Sequence, residues 1–106
     1  MEKNAKVVII GGGVVGCSIL YHLSKFGLKD CILLERNELT SGSSWHAAGN
    51  VHVISSDPNI SRMMAYTIGL YKEIEKESGH SVGFKPSGGF YLASNDVWAE
   101  YLKRER

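Results

Sequence analysis

The chain has 106 residues, a common size for one domain, with 43% hydrophobic and 22% charged residues, and this composition excludes a disordered chain. A net charge of +1, from 12 Lys and Arg against 11 Asp and Glu, provides no basic surface for nucleic acid or for an anionic membrane. Two cysteines speak against a disulfide framework, and no apolar run approaches the roughly 20 residues of a membrane span.

The start of the chain has neither the pattern of a signal peptide nor that of a transit peptide. Three glycines interrupt its apolar run, and no Arg-rich, acid-poor leader is present. Because Cys17 and Cys31 are isolated thiols, we expect a compartment that keeps cysteines reduced. The expected location is the cytoplasm, or the mitochondrial matrix if the source is eukaryotic.

The first elements predict a βαβ unit, in which a helix connects two parallel strands. Residues 6–10 and residues 31–34 are short apolar runs typical of buried parallel strands. Between them, residues 16–26 carry apolar side chains at helical spacing, and Gly27 is placed to end that helix. The fold class is therefore α/β.

The remaining elements are predicted from turn and capping residues. Residues 37–50 form a polar loop that enters a short helical turn near Ser44, and residues 51–54 form a short strand. Asp57 caps a helix that starts at Pro58 and ends at Gly79. Residues 88–93 form a strand, and Asn95 or Asp96 caps a final helix that runs into the chain end.

The segment from Gly11 to Gly16 fits the pattern G-x-G-x-x-G between the first strand and the helix. Glycines there permit a tight turn and close approach to a pyrophosphate, and the helix N-terminus favours anions. Glu35 follows Gly16 by 19 residues, where a carboxylate can accept hydrogen bonds from ribose hydroxyls. This acid argues against NADP despite the adjacent Arg36, but the motif does not distinguish NAD from FAD. The alternative is a glycine turn that only packs tightly.

A second segment of interest, residues 43–49, reads Ser-Ser-Trp-His-Ala-Ala-Gly. Its small residues allow close backbone approach to a flat group, and its hydroxyls can donate to phosphate. A structural role for His46, and a place for Trp45 in the core, is the alternative. No His or Cys partner lies at metal-ligand spacing, so we expect no metal. The two cysteines do not form a CxxC redox pair.

These two segments together resemble the N-terminus of FAD-dependent amine oxidoreductases of the D-amino-acid oxidase superfamily. Ser-Gly-Ser-Ser-Trp-His-Ala-Ala-Gly, residues 41–49, resembles in particular the dimethylglycine and sarcosine dehydrogenases. The resemblance implies the N-terminal part of a Rossmann-like FAD-binding domain, plus the start of a substrate-side sheet.

The resemblance also implies roles for individual residues. Gly11, Gly13 and Gly16 would hold the pyrophosphate of FAD, Glu35 the adenosine ribose, and Ser43 and Ser44 the phosphate and flavin end. His46 matches the histidine that is bonded covalently to the flavin 8α carbon. The full set assigned to the cofactor is Gly11, Gly13, Val14, Val15, Gly16, Glu35, Arg36, Ser43, Ser44, His46 and Gly49.

The implied activity is oxidative demethylation of dimethylglycine or sarcosine. The acceptor would be an electron-transfer flavoprotein or oxygen, and tetrahydrofolate could capture the product through a downstream domain. A non-catalytic flavin-binding regulatory subunit of a phosphatase, from the same superfamily, is the alternative. We expect residues 1–106 to be an incomplete N-terminal portion of the FAD-dependent domain, with no catalytic residue and no activity alone.

Overall fold

The computed structural model describes residues 4–104, which fall into two compact units on either side of the bond between residues 50 and 51. The first unit contains strands β1 (Val7–Ile10) and β2 (Cys31–Leu34) and helix α1 (Val14–Lys25). The second contains helices α2 (Pro58–Ser78) and α3 (Asp96–Arg104). None of these helices combines the length and the hydropathy that crossing a membrane requires.

The first unit is the predicted βαβ unit. Strands β1 and β2 are parallel, with Val7 opposite Cys31 and Ile10 opposite Leu34. This confirms the predicted pairing and the exact bounds of the second strand. Helix α1 begins at Val14, earlier than predicted, so the last part of the glycine segment already forms its first turn.

The two faces of this sheet differ. Ile9, on the face that α1 covers, is 8% exposed and is the one buried large apolar side chain among residues 4–104. The opposite face of the sheet is exposed and carries Val8, Ile10, Ile32 and Leu34. In doubly wound folds both faces of the parallel sheet are covered by helices. In this unit α1 covers one face, and the other face is exposed.

Helix α1 ends at the predicted glycine. Gly27 has φ of 85°, in the left-handed region, and its N–H donates to the Ser24 carbonyl at 2.9 Å. The Leu28 N–H donates to the Leu23 carbonyl at 3.0 Å. This pair of bonds is a Schellman motif, which satisfies the last carbonyls of the helix and turns the chain toward β2.

Helices α2 and α3 begin at side-chain caps. The Asp57 carboxylate accepts two backbone N–H groups from the first turn of α2, at 2.7 and 3.2 Å. Gly79, with φ of 70°, ends that helix as predicted. At α3, the Asn95 side chain accepts the Trp98 N–H at 2.9 Å, so Asn95 rather than Asp96 is the cap. Residues 105 and 106 lie outside the described residues.

Two predicted strands are not formed. Residues 51–54 and 88–93 have no strand structure, and within residues 4–104 neither has a backbone hydrogen bond to another segment. Phe90 and Leu92, at 99% and 94% exposure, have no apolar surface against them. A strand requires a hydrogen-bonding neighbour, which these segments lack. The predicted start of a substrate-side sheet is therefore wrong for the described part of the chain.

Candidate functional site

The glycine segment leaves β1 through a turn that a side chain would strain. Gly11 has φ of 104°, in the region that favours glycine. Its N–H donates to the Leu34 carbonyl at 2.8 Å and so continues the pairing of the sheet beyond the two strands. This hydrogen bond therefore fixes the start of the turn beside Leu34, the last residue of β2.

Gly16 lies where α1 passes over the turn. A Cβ at this position would overlap the carbonyl oxygen of Gly11 and would contact Ile9 Cγ2 at 3.4 Å. Because the oxygen belongs to the backbone, it cannot move aside as a flexible side chain would. Gly16 therefore allows the close packing of helix on strand.

Gly12 is a residue whose role the sequence analysis missed. A Cβ there would lie 2.5 Å from Leu39 Cδ2 and 3.1 Å from Glu35 Cβ. The Gly12 N–H donates to Glu35 Oε2 at 2.7 Å, across 23 residues of chain. The available signal was that the middle one of the three consecutive glycines occupies a position where G-x-G-x-x-G does not require glycine.

Glu35 is held in place by backbone donors. Its Oε2 accepts the Gly12 N–H, and its Oε1 accepts the Asn37 N–H at 2.9 Å. The hydrogen bonds from Asn37 and Gly12, with a smaller effect of Arg36, lower the pKa of the Glu35 carboxyl below its ordinary value. The group is therefore an anion at neutral pH, and each oxygen keeps capacity for another donor.

The N-terminus of α1 offers backbone donors to an anion. Gly13, the N-cap residue, has no side chain to cap the helix, and the first turn contains no acidic residue. The Val14 N–H donates to Ser44 Oγ at 2.8 Å. The N–H groups of Gly13 and Val15 have no acceptor among residues 4–104. These donors and the positive end of the helix dipole favour a phosphate group.

Residues 40–49, here called the histidine segment, lie against this loop. The Thr40 N–H donates to the Gly12 carbonyl at 2.8 Å, and Ser44 accepts from Val14. Residues 42–47 then form the predicted helical turn, with N–H groups donating to carbonyls three residues earlier. Of the predicted site residues, Ser44 therefore contacts the glycine segment directly, and His46 follows it in the same turn.

A backbone carbonyl in this turn orients the imidazole of His46. Its Nδ1 lies 3.1 Å from the Gly42 carbonyl oxygen, which can only accept, so a neutral imidazole bonded to it has its proton on Nδ1 and its lone pair on Nε2. Trp45 is 78% exposed, so the alternative that placed Trp45 in the core is wrong for the described residues.

Three further predicted site residues, Arg36, Ser43 and Gly49, are exposed. Arg36 follows Glu35 directly, the carbonyl of Ser43 accepts the His46 N–H, and Gly49 takes φ of 71°. Over residues 4–104, no group of three His, Cys, Asp or Glu side chains is arranged to hold a metal ion. The absence of a metal site stays a prediction.

The remaining histidines belong to helix α1 and to the second unit. His22 Nδ1 lies 2.7 Å from the Ser18 carbonyl on α1. In the second unit, His80 follows the end of α2, and His52 lines a cavity of about 720 Å³ together with Lys72 and Tyr91.

Comparison with known proteins gives a consistent result. Residues 6–106 match the family model described as FAD dependent oxidoreductase (DAO). The chain is 46% identical over 102 residues to human mitochondrial dimethylglycine dehydrogenase, covering 96% of this chain. It is 39% identical over 105 residues, 98% of this chain, to human mitochondrial sarcosine dehydrogenase.

A relative that is named as a regulatory subunit, and not as a dehydrogenase, is similar over nearly the same span. The mitochondrial pyruvate dehydrogenase phosphatase regulatory subunit of mouse is 38% identical over 104 residues, 98% of this chain. These alignments cover 12%, 11% and 12% of the dimethylglycine dehydrogenase, the sarcosine dehydrogenase and the regulatory subunit, respectively. The chain thus spans about an eighth of the length of these relatives.

Proposed function

This chain belongs to the DAO family of FAD-dependent oxidoreductases, and we propose that it forms the adenosine-binding and flavin-attachment end of an amine dehydrogenase. The substrate would be a small N-methyl amino acid, dimethylglycine or sarcosine, as the names of two relatives suggest. Residues 1–106 would be the N-terminal portion of the FAD-binding domain, without a catalytic residue of their own.

The residues present fit an FAD molecule. The N–H groups of Gly13 and Val15 suit the pyrophosphate, and the glycines keep side chains away from it. The Ser44 hydroxyl accepts from Val14 and can still donate its own proton to a phosphate oxygen. Glu35, ionised and oriented by two backbone donors, suits the ribose hydroxyls.

One observation supports the proposal above all: the Val14 N–H donates to Ser44 Oγ, so the histidine segment is bonded to the glycine segment. His46 Nε2 would form a bond to the flavin 8α carbon. The carbon and the imidazole would each lose a proton, and two electrons would pass to dioxygen. The Gly42 carbonyl would hold Nδ1 and leave Nε2 to react.

When bound, FAD would accept a hydride from the N-methyl carbon, leaving an iminium for water or tetrahydrofolate, and would pass two electrons to an electron-transfer flavoprotein or oxygen. The part of this chain is to bind the adenosine diphosphate and to hold the ring through His46. Since two of these relatives are named as mitochondrial dehydrogenases, the matrix is the proposed location for a eukaryotic source, and the cytoplasm otherwise.

The test uses the full-length protein. After acid denaturation, we expect flavin fluorescence to remain with the polypeptide on a gel under ultraviolet light. His46→Ala should abolish that fluorescence, whereas the control His80→Ala, in the second unit, should retain it. A fluorescent band that persists in His46→Ala would contradict the assignment of the attachment site.

A regulatory subunit is the second candidate function, since the phosphatase regulatory subunit is similar over nearly the whole chain. It would use the same residues to bind FAD without amine oxidation. Turnover of dimethylglycine and sarcosine with an artificial electron acceptor separates the two candidates. Full-length protein that binds FAD but reduces no acceptor with either amine would favour the regulatory subunit.

A further inference from the structure

The hydrogen bond between Val14 and Ser44 joins two segments 30 residues apart in sequence. A helix N-terminus is ordinarily capped by the side chain of its own N-cap residue. Here that residue is Gly13, and the cap comes from Ser44 on the histidine segment. A Cβ on Gly13 would lie 3.3 Å from Ser44 Oγ, so a side chain there would require Ser44 to shift slightly.

We propose that Ser44 is a positioning residue that sets the orientation of His46 for bond formation with the flavin. This inference rests on the proposed function above. Ser44 and His46 lie in one turn, in which the Ser43 carbonyl accepts the His46 N–H at 3.1 Å and the Ser44 carbonyl accepts the Ala47 N–H at 3.3 Å. A displacement of Ser44 therefore displaces the imidazole.

A second hydrogen bond, from Thr40 to Gly12, helps to fix the orientation of the histidine segment. The Thr40 N–H donates to the Gly12 carbonyl, so the segment is attached to the glycine loop at both residue 40 and residue 44. Thr40 has φ of 62°, an uncommon conformation for a β-branched residue. Without Ser44 Oγ, attachment at residue 40 remains, and residues 41–47 can rotate about it.

The expected consequence is kinetic. Bond formation requires the reacting atoms in near-attack geometry, and a displacement of about 1 Å can lower a rate about 100-fold. The bond from Val14 to Ser44 is exposed, so its loss should change global stability little. We therefore expect Ser44→Ala to slow covalent attachment about tenfold or more at saturating FAD.

The experiment follows attachment in the full-length protein, prepared without flavin, mixed with saturating FAD and quenched in acid at intervals. Protein-bound fluorescence measures the rate, and saturation removes any effect of Ser44 on affinity. Ser44→Thr, which keeps the hydroxyl, should restore the rate. Ser41→Ala is the matched control, since the Ser41 hydroxyl donates to the Glu38 carbonyl within its own turn.

A second variant removes the same hydrogen bond from its other side. Val14→Pro deletes the N–H at the first helical position, where proline is tolerated, and Gly13 already has the extended ψ of −176° that precedes proline. It should slow attachment as Ser44→Ala does. The double variant should be no slower than either single variant, because both changes delete one interaction.

The outcomes distinguish the two proposals. No protein-bound fluorescence in the wild type overturns covalent attachment and this inference together. Wild-type fluorescence with unchanged rates in Ser44→Ala and Val14→Pro overturns only the positioning role. Should Ser44→Ala fail to fold, an unchanged rate in Val14→Pro would still overturn it, and a Ser44→Thr rate as slow as that of Ser44→Ala would do the same.

Discussion

The two units of the chain are organised by hydrogen bonds of different range. In the first unit, Gly12 and Val14 donate to side chains 23 and 30 residues away. In the second, the bonds at the helix ends are local. Asp57 accepts from residues two and three positions ahead, and Glu75 accepts the N–H of Val82 seven positions ahead.

Local and long-range hydrogen bonds serve different purposes: the former define helix ends, and the latter assemble a binding site. Local caps decide where a helix begins and ends, and they need only neighbouring residues. A binding site needs groups from distant parts of the sequence at fixed distances, which only tertiary contacts provide. We therefore expect substitutions in the first unit to affect FAD binding, and comparable substitutions in the second to affect helix stability alone.

The largest expected effect compares two glycines inside helices. Gly16→Ala places a Cβ on the Gly11 carbonyl, whereas Gly69→Ala, in α2, meets nothing within 4 Å. We expect Gly16→Ala to lower the free energy of unfolding by about 3 kcal/mol and to abolish FAD binding. Gly69→Ala should raise that free energy by about 0.5–1 kcal/mol, because alanine restricts the unfolded chain.

Urea unfolding and FAD titration of the full-length variants measure both quantities. Loss of FAD binding in Gly69→Ala, or retention of it in Gly16→Ala, would contradict the expected difference between the two units.

A smaller effect is expected at Glu35. Glu35→Gln should weaken FAD binding about tenfold, through loss of a charged acceptor for the ribose. In the wild type the lowered pKa keeps the Glu35 carboxylate ionised from neutral pH into the mildly acidic range. Its contribution to affinity should therefore be constant over that range and should be lost only as the pH falls through the lowered pKa.

Fluorescence titration with FAD in the His46→Ala background, where binding stays reversible, provides the measurement. An affinity that falls between pH 7 and pH 5 in the wild type, but not in Glu35→Gln, would contradict the assigned pKa direction.

The smallest expected effect concerns the cap of α2. Asp57→Ala removes the acceptor for two backbone N–H groups and should lower the free energy of unfolding by about 1 kcal/mol, with FAD affinity unchanged. Asp57→Asn is the matched control, since asparagine caps as well as aspartate. Urea unfolding of the three proteins gives the comparison, and a change in FAD affinity in Asp57→Ala would link the second unit to the site.

Prediction from sequence succeeded where the cause is local. The caps at Asp57, Gly27 and Gly79 and the turn at Ser44 follow from short-range rules. The bounds of β2 followed from its apolar run, which ends at the polar Glu35.

Prediction failed where the cause is tertiary. Residues 51–54 and 88–93 have the composition of strands, yet a strand forms only against a partner. The contacts of Gly12 with Leu39 and Glu35 depend on the path of residues 35–40, which no local pattern determines. The candidate site residues could therefore be proposed from the sequence, but the hydrogen bonds that orient them could not.

The exposed face of the β1–β2 sheet affects how this protein is produced in a cell. Val8, Ile10, Ile32 and Leu34 form an uncovered apolar surface on paired strands, the type of surface to which chaperones bind and from which aggregates grow. We therefore expect the yield of the protein to depend on how quickly this face is covered during synthesis. Until this face is covered, the strands that position the glycine loop also make the chain prone to aggregation.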